Sequence, residues 1–144
     1  METLDYKALA AQMLAATHPK EKRRPPTNLE KHEHVKDGTM RYLFEHEGTA
    51  TPDRLVEFFG FSKARLTKIL SELEGEGLVE RCMDPADRRR VIVHLTEGGR
   101  EYAARRYEGV LEHMTMLLTF LGEEDAKHFV RILQKLHGME RKDV

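Results

Sequence analysis

Apolar residues recur every three or four positions over most of this chain, which is the spacing of amphipathic helices. The pattern predicts a first helix over Leu4–Ala16. A second helix is predicted to begin at a cap on Asp37 and to end before Gly48, with Met40 and Phe44 on its apolar face. The N-terminal third of the chain is therefore predicted to be largely helical.

Two short helices joined by a tight turn are predicted next. Thr51-Pro52-Asp53 combines a capping hydroxyl, a proline that the first helical turn tolerates and a carboxylate near the positive helix end. Gly60 ends this helix, and Ser62 caps a second one that Gly77 closes. Two helices joined by Gly60-Phe61-Ser62 are typical of a helix-turn-helix.

A β-hairpin is predicted directly after these helices. Leu78–Met83 and Arg90–Leu95 are short and rich in β-branched residues, as strands are. Asp84-Pro85 begins a turn between them. Because a hairpin that follows a helix-turn-helix is a wing, the pattern predicts a winged helix-turn-helix.

Two amphipathic helices are predicted to follow, Glu97–Leu121 after a cap on Thr96, and then Glu123–His137. At 1.5 Å per residue the first would be about 37 Å long, which is longer than a small winged helix needs. We therefore expect the apolar stripes of both helices to pack on another chain. The predicted interface residues are Val110, Leu111, Met114, Leu117, Leu118, Phe129, Val130, Leu133 and Leu136.

These elements predict a mainly α chain with a small β-hairpin wing. The predicted division is 1–36 for an N-terminal helix and linker, 37–95 for the winged helix-turn-helix and 96–144 for the C-terminal helices, within one compact domain. The linker includes His18–Pro26, whose prolines exclude a helix interior.

Composition limits the class of protein. The chain has 144 residues, of which 40% are hydrophobic, enough to form the core of one domain. The longest uncharged stretch, Ala8–Pro19, is far shorter than the roughly 20 residues that a transmembrane helix needs. The acidic N-terminus is unlike a signal peptide, and a lone cysteine, Cys82, excludes an internal disulfide. These features predict a cytoplasmic protein with no membrane partner.

The net charge and the motifs of the sequence narrow the predicted class of protein only a little further. The 24 basic and 25 acidic residues leave nucleic-acid binding open, because a local basic surface can lie within a neutral chain. The sequence contains no glycine-rich phosphate loop, nucleophile elbow or convergent carboxylate pair. Neither an enzyme nor a cofactor is therefore predicted.

The predicted helix after Ser62 has a polarity typical of DNA recognition. Its basic residues lie in the first half and its acidic residues in the second, and a recognition helix contacts base edges with its N-terminal residues. When its apolar stripe points inward, Lys68 and Ser71 point outward. The alternative is an ordinary solvated helix face. The predicted DNA contacts here are Ser62, Lys63, Ala64, Arg65, Thr67, Lys68 and Ser71.

Three consecutive arginines, Arg88-Arg89-Arg90, lie at the predicted hairpin tip. Guanidinium groups there can reach phosphates or a narrow minor groove. Asp87 is predicted to pair with a neighbouring arginine and to hold it in one orientation. The alternative is a soluble turn that happens to be basic. Asp87, Arg88 and Arg89 complete the set of predicted DNA contacts.

Three runs of the sequence resemble the MarR (multiple antibiotic resistance regulator) family of winged helix-turn-helix transcriptional regulators. They are Leu55–Thr67, Leu73–Arg81 and Asp84–Arg100. The arginine-rich wing, followed by the pattern Leu-Thr-Glu-x-Gly-Arg, is the most specific part of the match.

The resemblance implies a bacterial or archaeal repressor that dimerises through its N- and C-terminal helices. It also implies that Ser62–Glu76 reads the major groove of double-stranded DNA. By position, Asp87 and Arg89 match the Asp-x-Arg pair of the family's wing, with Arg89 entering the minor groove.

The expected function is a homodimeric repressor that binds an inverted-repeat operator. A two-fold dimer places two recognition helices in successive major grooves, about 34–36 Å apart. A small-molecule effector is expected to bind between the DNA-binding and dimerisation regions and to change this spacing. The predicted pocket residues are Met40, Phe44, Phe58 and Tyr107.

Two other functions stay open. A metal- or oxidant-sensing regulator of the same fold would need clustered ligands or a reactive thiol. No two histidines lie four residues apart with a completing carboxylate, so no metal is predicted, and Cys82 falls on a strand. A winged-helix protein–protein interaction module would need an apolar recognition face, which Lys68 and the arginine-rich wing oppose.

Overall fold

The computed structural model describes residues 3–17 and 32–139, which form helices and short strands. The predicted linker His18–Pro26 lies outside these ranges. No helix within them is long and apolar enough to cross a membrane. The elements are α1 (Tyr6–Ala16), α2 (His32–Glu45), β1 (Thr49–Ala50), α3 (Pro52–Phe59), α4 (Lys63–Gly75), β2 (Val79–Met83), β3 (Val91–Leu95), α5 (Glu97–Leu121) and α6 (Glu123–His137).

The described residues form two compact units. The wing unit comprises residues 32–105, and the helical unit comprises residues 3–17 and 106–139. Helix α5 contributes to both, because the boundary between residues 105 and 106 lies within it.

Helix α2 begins at His32, so the prediction that Asp37 caps it is wrong. Asp37 lies inside the helix, and the turn before it is already packed on the core of the wing unit. Val35 and Lys36 in that turn are both buried. Tertiary packing of this extra turn outweighs the local capping preference of an aspartate, as it commonly does for helix ends.

The turn between α3 and α4 has the predicted capping chemistry. The Thr51 hydroxyl accepts a hydrogen bond from the backbone N–H of Arg54 at 3.3 Å, and the Ser62 hydroxyl accepts one from Arg65 at 3.1 Å. Gly60 ends α3 with φ of 74°, in the left-handed region that only glycine adopts without a steric cost. The helix-turn-helix is therefore confirmed.

The wing is part of a three-stranded antiparallel sheet with the order β1-β3-β2. The predicted hairpin is confirmed, with pairs from Val79↔Leu95 to Met83↔Val91. Strand β1 was not predicted, because two residues are too few to show an alternating pattern. It pairs Thr49 with His94 and so covers the far edge of β3.

The helical unit has its own core between α1, α5 and α6. Of the residues predicted for the interface, Leu111, Leu118 and Val130 are buried within this chain against Leu9 and Met13. Met114 and Leu133 also pack against this core. An apolar side of a helix can be buried within its own chain or between two chains. Helical spacing in a sequence does not distinguish these two kinds of burial.

The start of α5 is held against the segment between α4 and β2 by a close backbone approach. A Cβ atom on Gly99 would lie 2.0 Å from the carbonyl oxygen of Leu78. Thr96 caps α5 as predicted, since its hydroxyl accepts a hydrogen bond from the N–H of Gly99 at 2.9 Å and donates one to the carbonyl of Gly77. Only glycine fits at position 99.

We expect Gly99→Ala to destabilise the protein by about 2–3 kcal/mol, because the backbone of Leu78 must move to admit the methyl group. Gly109→Ala is the matched control in the same helix, since nothing lies within 4 Å of a Cβ there. Its expected effect is a gain of about 0.5–1 kcal/mol in helix stability. Urea unfolding measures both, and equal effects of the two changes would contradict the close approach.

Candidate nucleic-acid interface

Helix α4 presents a polar face because its apolar stripe is buried. Leu66, Ile69, Leu70 and Leu73 all lie in the core of the wing unit. No acidic residue lies in the first turn of α4, so its positive dipole end is unopposed there. The predicted contacts Ser62, Lys63, Ala64, Thr67, Lys68 and Ser71 are exposed, and Arg65 is partly buried.

A concave surface of about 350 Å³ lies between α3, the first half of α4 and the wing. Lys63 and Thr67 line it from α4, and Arg81, Arg89 and Arg90 line it from the hairpin. The fold thus brings the basic start of α4 and the basic wing, which are separated along the chain, to one surface. Asp53 of α3 lines it as well, and its Oδ1 lies 3.8 Å from Lys63 Nζ. A concave surface whose cations outnumber its carboxylates suits a phosphate backbone.

The tip of the wing is an ordered turn. The carboxylate of Asp87 accepts hydrogen bonds from the backbone N–H of Arg89 at 3.1 Å and from its Nε at 3.4 Å. The Arg89 side chain is otherwise 92% exposed. Asp87 therefore holds the stem of Arg89 while its terminal nitrogens face solvent. Arg88 is exposed too, but it does not line the concave surface.

Sequence reasoning missed Arg81, which joins the wing to α4. Its Nε donates to Glu74 at 2.6 Å, and its Nη2 donates to the Ser71 hydroxyl at 3.3 Å. The only sequence signal is that Arg81 shares its side of β2 with Val79, which is buried beside α4. Ser71, a predicted DNA contact, is therefore also a hydrogen-bond partner inside the wing unit.

The acidic second half of α4 is partly neutralised by α2. Lys36 pairs with Glu76, and this hydrogen bond raises the pKa of the lysine. His32 pairs with Glu72, and its hydrogen bond lowers the pKa of that carboxyl. Lys36 Nζ also lies 4.0 Å from Glu72 Oε2. The carboxylates of Glu72 and Glu76 are thus paired with α2, and that of Glu74 is paired with Arg81 of β2.

A family model for the MarR family matches residues 39–90 of the chain. The uncharacterized HTH-type transcriptional regulator YwhA of Bacillus subtilis is 30% identical over 102 residues, which are 71% of this chain and 73% of YwhA. The chain belongs to the MarR family. Like its relatives in this family it is a DNA-binding transcriptional regulator and not an enzyme.

Solved structures share the MarR fold. The reduced form of MarR from E. coli aligns with a TM-score of 0.60 and 24% identity, over 71% of this chain and 75% of MarR. Streptococcus pneumoniae FabT in complex with DNA aligns with a TM-score of 0.63 and 22% identity, over 71% of each chain. At these identities the similarity establishes the winged-helix fold and leaves individual residue roles to the geometry of this chain.

The residues predicted for the MarR-type effector pocket are divided between the two units. Met40 is buried in the core of the wing unit, and Phe44 and Phe58 pack against that core. Tyr107 packs on the core of the helical unit. Met40 also lines a cavity of about 200 Å³ beside Lys36.

The alternative of a metal- or oxidant-sensing regulator concerns the histidines and Cys82. Residues 3–17 and 32–139 contain no group of three or more His, Cys, Asp or Glu side chains that could hold a metal ion. Cys82 lies on β2, as predicted, and is exposed.

Proposed function

We propose that this MarR-family chain is a cytoplasmic repressor that binds an inverted-repeat operator as a homodimer and responds to a small molecule. The observation that carries the proposal is the concave surface where Lys63 and Thr67 of α4 meet Arg89 and Arg90 of the wing. Base edges are recognised in the major groove, and wing arginines add contacts to the adjacent backbone or minor groove.

Helix α4 is the proposed reader of the major groove. Ala64 and Lys68 lie one turn apart on its exposed face, and Thr67 lies beside them. A lysine can donate to guanine O6 and N7, while a small residue such as Ala64 lets the helix approach the bases closely. The start of the helix contributes its dipole to the same contact.

Arg89 is the proposed minor-groove contact. Its stem is anchored by Asp87 and its terminal nitrogens are in solvent, so the side chain is ordered before DNA binds. Ordering a long side chain on binding costs roughly 0.5–1.5 kcal/mol, and an anchored one avoids part of that cost. The Asp87 carboxylate therefore favours DNA binding by ordering Arg89, although its negative charge repels DNA.

The helical unit is the proposed dimerisation region. Among the described residues, all exposed large apolar side chains except Met83 and Val91 belong to this unit. Exposed apolar patches of this kind mark protein–protein interfaces. Of the predicted interface residues, Val110, Leu117, Phe129 and Leu136 are exposed, and Met116, Phe120, Leu121, Ile132 and Met139 extend the same set.

The proposal that a small molecule regulates the protein rests on the family resemblance of the sequence. The cavity beside Met40 has a volume of about 200 Å³, and pockets for drug-sized ligands measure about 300–1,000 Å³. Its lining includes Lys36, Glu76 and Tyr102, so a compact polar molecule is the class of effector that suits it.

Lys68→Ala tests major-groove reading. The probe is the tightest duplex that the wild-type protein selects from a random DNA library. We expect the variant to bind it about 1–3 kcal/mol more weakly per half-site and to discriminate less against random duplexes. Lys127→Ala is the control, because this exposed lysine pairs with Glu123 on α6. If both variants bind like the wild type, α4 does not read the groove through Lys68.

Asp87→Ala and Arg89→Ala test the wing. Both should weaken binding to the selected duplex, because loss of the carboxylate frees the arginine that it anchors. The two effects should be less than additive in the double variant. Tighter binding by Asp87→Ala, most visible at low salt, would show that Asp87 acts only as a repelling charge.

Phe120→Asp and Ile132→Asp test dimerisation. Phe120 is 89% exposed within the chain, so a charge there leaves the monomer core intact, but it would be buried in the proposed interface. We expect folded monomers by light scattering and circular dichroism. Met83→Asp on the wing is the control and should stay dimeric. Dimers with all three changes would place the interface elsewhere.

A further inference from the structure

The outer half of the wing has no residue in the core. Val79, at the base of the hairpin, is buried, and so is Val93. Arg81 is paired with Val93 across the two strands. Beyond this pair, every residue from 82 to 92 is partly or fully exposed. Packing therefore fixes the base of the wing, but it does not fix the tip that carries Arg89.

Arg81 makes a polar link between the wing and α4 at the point where this packing ends. Its Nε donates to Glu74 Oε2 at 2.6 Å, and its Nη2 donates to Ser71 Oγ at 3.3 Å. Ser71 and Glu74 are three residues apart, so they lie on one side of α4. The donors of a planar guanidinium have fixed directions, so two acceptors on one helix restrict its orientation as well as its position. The link therefore opposes a swing of the wing relative to α4.

The orientation of the wing matters because two elements form the concave surface. Lys63 and Thr67 line it from α4, whereas Arg89 and Arg90 line it from the wing. Duplex DNA has a persistence length of about 150 base pairs, so over one binding site it is a stiff partner that both elements must fit. A wing that holds the binding orientation for only part of the time lowers the apparent affinity in proportion to that fraction.

We propose that Arg81 is a positioning residue that holds the wing in a fixed orientation to α4, so that Arg89 and the start of α4 contact one duplex together. The inference rests on the proposed function, because it requires α4 and the wing to be the DNA-binding elements. Glu74 is the anchor of Arg81 in this arrangement. Its carboxylate repels phosphates through its charge, but it favours DNA binding through the link to the wing.

Glu74→Ala separates positioning from charge by the sign of its effect. Loss of the anchor should weaken binding to the duplex selected by the wild type about threefold to tenfold, as for a wing in the binding orientation roughly a tenth to a third of the time. Loss of a repelling carboxylate by itself would tighten binding, most visibly at low salt. The ion pair is partly exposed, so the variant should stay folded. Unchanged or tighter binding would overturn the proposal.

Glu72→Ala is the matched control. It removes the same charge from the same helix, but Glu72 pairs with His32 and Lys36 of α2 and not with the wing. We expect this variant to bind the selected duplex at least as tightly as the wild type. Equal weakening by Glu72→Ala and Glu74→Ala would assign the effect to lost ion pairs on α4 in general, and the positioning role would be wrong.

Double variants identify the path of the effect. Arg89→Ala should cost less affinity in the Glu74→Ala background, because the wing that carries this arginine is then no longer held in place. Lys68→Ala should cost the same in both backgrounds, because the apolar stripe of α4 keeps the helix in the core. Full additivity of Arg89→Ala with Glu74→Ala, or a reduced cost of Lys68→Ala, would contradict an effect confined to the wing.

Arg81→Ala distinguishes a link from a direct contact with DNA. Arg81 lines the concave surface, so its loss should weaken binding on either interpretation. If Arg81 acts through its anchor, the losses caused by Arg81→Ala and Glu74→Ala should be less than additive. If the two losses add in full, Arg81 contacts the phosphates independently of Glu74, and the proposal fails.

The order of the wing can also be measured without DNA. Amide order parameters of residues 84–90 from NMR relaxation should be close to those of α4 in the wild type. They should fall in Glu74→Ala but not in Glu72→Ala, and equal values in all three proteins would overturn the proposal.

The binding assay separates this inference from the proposed function. If Glu74→Ala binds like the wild type while Lys68→Ala and Arg89→Ala bind weakly, the positioning role is wrong and the proposed function stands. If Lys68→Ala and Arg89→Ala both bind like the wild type, the proposed function fails, and the positioning role fails with it.

Discussion

The turn Gly60-Phe61-Ser62 is the constraint on which the DNA-binding surface depends. Gly60 adopts a left-handed conformation that ends α3, and Ser62 caps the next helix immediately. Between them Phe61 enters the core of the wing unit. Three residues thus set the direction of α4 relative to α3. Every side chain on the exposed face of α4 takes its direction from this turn, including Lys68 and Arg65.

Ion pairs with α2 and β2 influence the charge distribution along α4 as much as its own residues do. The helix is basic at its start and acidic towards its end. His32 and Lys36 of α2 pair with Glu72 and Glu76, and Arg81 of β2 pairs with Glu74. The His32–Glu72 and Arg81–Glu74 pairs are partly exposed, so each contributes little to stability, whereas Lys36 is buried. Their larger effect is to reduce the negative field near a surface that is proposed to meet phosphates.

The two units of the chain use apolar residues in different ways. The wing unit packs most of its large apolar side chains in or against a core shared by helices and sheet. The helical unit buries one side of α5 and α6 against α1 and leaves a second side exposed. An unpartnered apolar side of that extent is costly in water, which is the physical basis for proposing that a second copy covers it.

Local patterns in the sequence determined most of the elements and the charge polarity of α4. The caps at Thr51 and Ser62 and the bounds of α5 and α6 follow from hydroxyl, glycine and apolar spacing, which act within a few residues. The start of α2 and the strand β1 did not follow, because packing on the distant core and on β3 stabilises them. Local signals carry no information about such partners.

Only the tertiary structure decided which side chains share a surface or a core. It placed Arg81 beside Ser71 and Glu74, and it laid Arg65 over Phe61. It also divided one helical stripe into residues such as Leu118, which α1 helps to bury, and residues such as Leu117, which stay exposed. The physical reason is that spacing along a chain specifies which side of a helix a residue occupies. What covers that side depends on contacts between segments far apart in sequence.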